Sequence, residues 1–110
     1  MERFIKGDVV VIPFPFSDLS DAKRRPALVL ADLPDDDILL CQITSQHGKD
    51  DLTVPLHKGD FSVGSLPVDS FIRPTRIFTA DKNIIIRRAG AVHASVINSA
   101  VNIIVDLISK

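Results

Sequence analysis

The chain has 110 residues, enough for one domain across residues 1–110 and too few for a second. A 45% share of hydrophobic residues allows an ordinary core, while a net charge of −1 excludes a global field that would draw in a polyanion. Six Phe with neither Trp nor Tyr exclude the rich stacking platforms of typical single-strand binders, so any attraction to nucleic acid must come from local cation clusters.

The N-terminal stretch "MERFIKGD" has no apolar signal core, and no run approaches the about 18 apolar residues that span a bilayer, so a soluble, cytoplasmic protein with no membrane partner is expected. After Gly7, "DVVVIPF" brings four consecutive β-branched residues, the pattern of a strand buried on both faces, which Pro13 and Pro15 should end. "SDLSDAKR" is a polar loop, longer than a tight hairpin needs. "PALVLAD" predicts a second strand, "PDDD" a turn whose tip (Asp35, Asp36, Asp37) faces water, and "ILLCQITS" a third strand. Cys41, the single cysteine, sits in that apolar run as a small buried hydrophobe. "QHGKDD" is a loop, "LTVPL" a short strand that Pro55 puts at an edge, and "HKGDFSVGSLP" an irregular stretch. "VDSFI" and "RIFTA" predict two strands separated by Arg73-Pro74, and "NIIIRR" continues the sheet or leads toward a helix.

The period changes from Val92 to Ile108, where Val96, Ala100, Ile103, Ile104 and Leu107 recur at helical steps. Ser95 or the earlier Gly90 begins this helix, and Ile97, Val101, Val105 and Ile108 widen its apolar face. The expected architecture is mainly β, with five to seven short strands and one C-terminal α-helix covering the sheet.

Several chemistries lack support. His47, His57 and His93 show neither HxxxH nor HxH spacing, and a lone cysteine cannot build a cysteine metal site, so no metal is expected. No GxSxG elbow is present, and the scattered glycines form no phosphate loop, so no nucleotide cofactor is implied. The arginines are more informative. In "KRRP", Pro26 pushes Arg25 toward an extended backbone, and strand alternation sends Arg24 and Arg25 to opposite faces. One of them then faces a cleft, where a guanidinium is costly unless an anion or carboxylate meets it. "SFIRPTR" repeats the Arg-Pro junction at Arg73, and Thr44, Ser45 and Gln46 supply polar groups at another strand end. These groups either converge on one oxyanion or are ordinary solvated surface residues.

At this point the residues resemble a known family. "GDVVVIPFPFSDLSDAKRRPALVL" followed by "CQITSQ" is similar to the MazF/PemK toxin endoribonucleases, the PemK-like branch in particular, and "GSLPVDSFIRPTRIFT" fits that family's next strand pair. The resemblance covers nearly the whole chain. It implies an SH3-like, strongly twisted small barrel of the MazF/CcdB toxin type, assembled as a homodimer. It further implies metal-independent cleavage of single-stranded RNA, usually mRNA at short motifs, and neutralisation by a cognate antitoxin. Carried over residue by residue, Arg25 and Thr44 match catalytic positions, with Ser45 and Gln46 in support. Lys23 and Arg24, in a loop from Ser17 to Arg24 that flaps over the RNA channel, would touch backbone phosphates. Where the family often has an acidic residue followed by Gln, this chain has Asp69-Ser70, with Arg73 as the nearby cation. Asp69 is therefore the candidate to orient Arg25 or accept a proton. The expected products are a 2′,3′-cyclic phosphate and a 5′-hydroxyl. The alternatives are a CcdB-like toxin that poisons DNA gyrase without cutting, and a family member that has lost turnover.

Overall fold

The computed structural model describes residues 3–14, 23–46 and 52–110. Pro15, residues 17–22 of the expected Ser17–Arg24 loop and His47 lie outside the described residues, while Lys23 and Arg24, expected in that loop, belong to a strand instead. The strands are β1 (Asp8–Phe14), β2 (Lys23–Asp32), β3 (Asp37–Thr44), β4 (Val54–Leu56), β5 (Phe61–Gly64), β6 (Ser70–Asp81) and β7 (Arg87–Val92), followed by helix α1 (Ala94–Ile108). They form one antiparallel sheet in the order β4-β6-β3-β2-β1-β7-β5, curled into a half-barrel.

Burial on both faces holds the centre of the sheet together. Val9, Val10, Val11 and Ile12 of β1 are all buried, as the β-branched run requires. Alternation sorts them between two cores. Val9, Leu28, Cys41, Ile43 and Ile72 pack with Val96, Ile97 and Ala100 of α1 on one face. Val10, Ile12, Ala27, Val29, Ile38 and Leu40 pack with Phe4 on the other. The helix thus spends its buried stripe on one core, while Val105 and Ile108 stay exposed near its end.

Bulges give the sheet its curl, because an unpaired extra residue bends a strand and raises its twist. Leu30 is the extra residue between β2 and β3, and Ala89 between β7 and β1. The largest irregularity lies in β6. Cys41 pairs with Ile77 but Gln42 with Arg73, which leaves Pro74, Thr75 and Arg76 without partners on β3. The two strands expected around Arg73-Pro74 are therefore one strand interrupted by a three-residue bulge.

Three other expectations are corrected. Pro13 does not end β1, which runs to Phe14; β7 pairs only with Asp8–Val11, so beyond Val11 one side of β1 has no described ladder for a proline to break. The stretch after His57 is not irregular: it holds a 3-10 turn (Lys58–Asp60) and edge strand β5. Its strand character was hidden by Gly64, at φ +69, where an added Cβ would stand 2.2 Å from the Ala89 carbonyl oxygen. Ile84 and Ile85 do not belong to a strand; Ile84 ends a second 3-10 turn, and both pack on the Phe4 core. As Pro55 suggested, β4 is an edge strand. No described helix is long and apolar enough to cross a membrane.

Candidate nucleic-acid interface

The sequence signals at the ends of β2 and β3 meet at one groove. Its volume is about 280 Å3, and it is lined by Val11, Arg24, Arg25, Pro26, Ile43, Thr44, Ser45, Leu66, Pro67, Val68, Ser70 and Arg87. Val11, Pro26 and Ile43 belong to the central strands, whereas Leu66, Pro67 and Val68 come from the link between β5 and β6. Ser70 ties this link to the sheet, because its buried hydroxyl donates to the Val68 carbonyl at 3.0 Å.

Register explains how Arg25 and Thr44 come together. Leu28 pairs with Cys41 and Ala27 with Gln42. Continued two residues beyond that last pair, the same register sets Arg25 opposite Thr44, the spacing at which cross-strand side chains interact. Both residues border the groove. Arg24 and Arg25 do alternate: Arg24 pairs with Pro13 and Arg25 with Ile12, so their Cβ atoms point to opposite sheet faces. Alternation nevertheless does not divide them between groove and solvent. The groove wraps the open end of the strands, and both arginines line it.

The Thr44 hydroxyl oxygen accepts the Gln46 backbone N–H at 3.2 Å. A hydroxyl has one proton to give and two lone pairs, so this contact leaves its O–H available as a donor. Arg24 and Arg25 are exposed. Among the described residues no carboxylate or carbonyl engages either guanidinium, nor that of Arg87. The lining therefore offers three guanidinium groups and three hydroxyls, with no carboxylate and no imidazole. Such a set suits binding and neutralising an oxyanion better than abstracting a proton.

The remaining predicted residues lie around this groove and do not line it. Lys23 is exposed at the start of β2, and Gln46 contributes its backbone to Thr44. Arg73 pairs with Gln42 and is half-buried, two rows along the sheet from Thr44. The Asp69 carboxylate lies 3.4 Å from Nδ1 of His57, and neither residue lines the groove. Asp60 in turn accepts the His57 backbone N–H at 2.7 Å.

Arg87 was not anticipated. Its neighbour Arg88 donates from Nε to Asp8 at 3.0 Å, reaches the Arg3 carbonyl and sits 5.1 Å from the Phe4 ring centroid. Alternation turns Arg87 the other way, to the face of its partner Val11. The signal was an Arg-Arg pair inside a strand, which could have been read as one inward and one groove-facing cation. Cys41 takes no part in the site; it is buried, and burial pushes its thiol up to about 12. Among the described residues no three His, Cys, Asp or Glu side chains gather as a metal site would need.

Comparisons with known proteins agree with this fold. MazF from Deinococcus radiodurans superposes with a TM-score of 0.77 at 19% identity, over 100% of both chains. The MazE-MazF complex from the same organism matches with a TM-score of 0.75 at 18% identity, over 98% of this chain and 97% of that one. An endoribonuclease in complex with its cognate antitoxin, from a mycobacterial species, matches with a TM-score of 0.76 at 14% identity, over 97% and 96%. No curated protein matches the sequence at a significant level. Residues 5–107 match the family described as PemK-like, MazF-like toxin of type II toxin-antitoxin system. The chain belongs to that toxin family.

Proposed function

We propose that this toxin is a sequence-specific endoribonuclease that cuts single-stranded mRNA in the cytoplasm without a metal. The observation that carries this reading is the meeting of Arg25 and Thr44 at one groove, with no described carboxylate on the guanidinium. RNA brings its own nucleophile, so a site made of cations and hydroxyls is sufficient. The 2′-oxygen attacks phosphorus as the bond to the 5′-oxygen breaks, and negative charge builds on the non-bridging oxygens. Arg25 grips those oxygens through its planar fork, and the free Thr44 O–H donates to one of them. Water in the open groove takes the 2′ proton and supplies one to the departing 5′-oxygen. The products are a 2′,3′-cyclic phosphate and a 5′-hydroxyl.

Arg24, Lys23 and Arg73 then serve as backbone contacts that position the strand, with Ser45 and Gln46 holding the Thr44 turn. Asp69, turned to His57, holds the groove wall. The homodimer and neutralisation by a cognate antitoxin are part of the same proposal, supported by family membership. The mycobacterial endoribonuclease has been solved with its cognate antitoxin, and Deinococcus MazF with MazE. A non-cutting gyrase poison would not need Arg25 and Thr44 together.

The test is to incubate the protein with single-stranded RNA, and with DNA of the same sequence, in EDTA and to map the ends. The expected result is RNA cut to cyclic-phosphate and 5′-hydroxyl ends, with DNA intact because it lacks the 2′-hydroxyl. Gyrase inhibition with uncut RNA would refute the reading.

A further inference from the structure

Arg87 lines the same groove as Arg25 from β7, with β1 between their two strands. It opens β7 and pairs with Val11, whose partner on the other side is Pro26, so Arg87, Val11 and Pro26 form one row across three strands. With strands about 4.8 Å apart, the backbones of β7 and β2 stand roughly 10 Å apart along that row. Between them the floor is apolar, made of Val11, Pro26 and Ile43. Asp8 is already committed to Arg88 and to the Ile5 backbone N–H, so it does not neutralise Arg87. Three guanidinium groups around one small groove repel one another until anions enter. A cation on either side of an apolar strip matches the repeat of a nucleic-acid strand, in which charged phosphates alternate with bases that have apolar faces.

We propose that Arg87 binds a second RNA phosphate, neighbouring the scissile one held by Arg25 and Thr44, with the intervening base lying on the Val11, Pro26 and Ile43 floor. The proposal rests on the ribonuclease reading. Arg87 is a positioning residue, touching a phosphate that gains no charge in the reaction. Its contact is equally strong before and during bond cleavage, so it acts on KM and leaves kcat alone.

The experiment compares wild type, Arg87→Ala and Arg87→Lys on single-stranded RNA, with Arg76→Ala, an exposed cation in the β6 bulge, as the control. Arg87→Ala should raise KM about tenfold with kcat held within about twofold, as for loss of one phosphate contact. Its affinity for a non-cleavable 2′-deoxy strand, measured between low and moderate salt, should lose about 0.7 from the log–log salt slope. Lys should restore that slope, and Arg76→Ala should match wild type. A dinucleoside monophosphate, which carries only the scissile phosphate, should bind wild type and Arg87→Ala equally. RNA cut by both proteins with equal KM and equal salt slope would overturn this inference alone, as would a loss confined to kcat. RNA neither bound nor cut by wild type would overturn the ribonuclease reading and this inference with it.

Discussion

The two halves of β2 differ sharply. Lys23, Arg24 and Arg25 are exposed cations, whereas Ala27 to Leu30 are buried in the two cores. Both halves belong to one continuous strand, and β3 shows the reverse order, running from buried Ile38, Leu40 and Cys41 out to Thr44 and Ser45. The closed half fixes register, since a one-residue slip would turn every buried side chain of β2 to the wrong core. The open half inherits that register. The register that pairs Leu28 with Cys41, continued three residues, sets Arg25 opposite Thr44. The site's precision thus comes from apolar residues that never touch a substrate.

The largest way to break this arrangement is at its apolar anchor. Leu28→Ala, at a side chain with no solvent exposure, should cost about 2–5 kcal/mol in urea unfolding. It should lower activity through the folded fraction and the loosened register together. A variant with full stability would mean that packing at Leu28 does not set the pairing.

Cys41 sharpens the comparison by titration. Burial raises its thiol from the ordinary 9.0 to about 12, so the folded state resists forming the thiolate. The folded value lies above the unfolded one. This contribution to stability is therefore complete below about pH 9 and is lost as the pH rises toward 12. The slope inside that window is about 1.4 kcal/mol per pH unit. Cys41→Ala should flatten the alkaline limb of a stability profile and leave the neutral region's shape unchanged; equal slopes in both proteins would contradict the burial argument.

The smallest effect belongs to the open side. The His57–Asp69 pair is solvent-exposed, with 58% and 73% of the two side chains accessible, so screening limits its worth. His57→Ala should change stability by at most about 1 kcal/mol. It should be visible instead as faster hydrogen exchange in the groove wall, residues 65–69. Unchanged exchange there would remove the role given to Asp69.

The same contrast governs what could be read from the sequence. Regions ruled by side-chain periodicity were legible: the four β-branched residues of β1, the helix, the edge position of β4 and the burial of Cys41. The meeting of Arg24, Arg25, Thr44 and Ser45 at one groove was foreshadowed by Arg-Pro and hydroxyl residues at strand ends. Regions ruled by backbone geometry were not. β5 depends on Gly64 meeting Gly90, where an added Cβ on Gly90 would stand 2.3 Å from the Val63 carbonyl oxygen, and close approach of this kind leaves no periodic trace. The bulge at Pro74–Arg76 imitates a loop between two strands. Arg87 was hidden behind Ile84, Ile85 and Ile86, whose β-branched run imitates a strand that begins only at Arg87. Asp69 was assigned by its place in a motif; in the structure its carboxylate meets His57, and it is not among the groove's lining residues.

A double-mutant cycle on Arg25 and Thr44, reading RNA cleavage rate and unfolding midpoint together, tests the central claim most directly. Each single alanine variant should cut about 100- to 1,000-fold more slowly, the usual loss when one oxyanion donor is removed. The double variant should be little slower than the worse single, because the two groups act on one phosphate as a unit. The unfolding midpoint should stay at the wild-type value throughout. Losses that multiply in the double variant, or cleavage at the wild-type rate after either single substitution, would contradict the account.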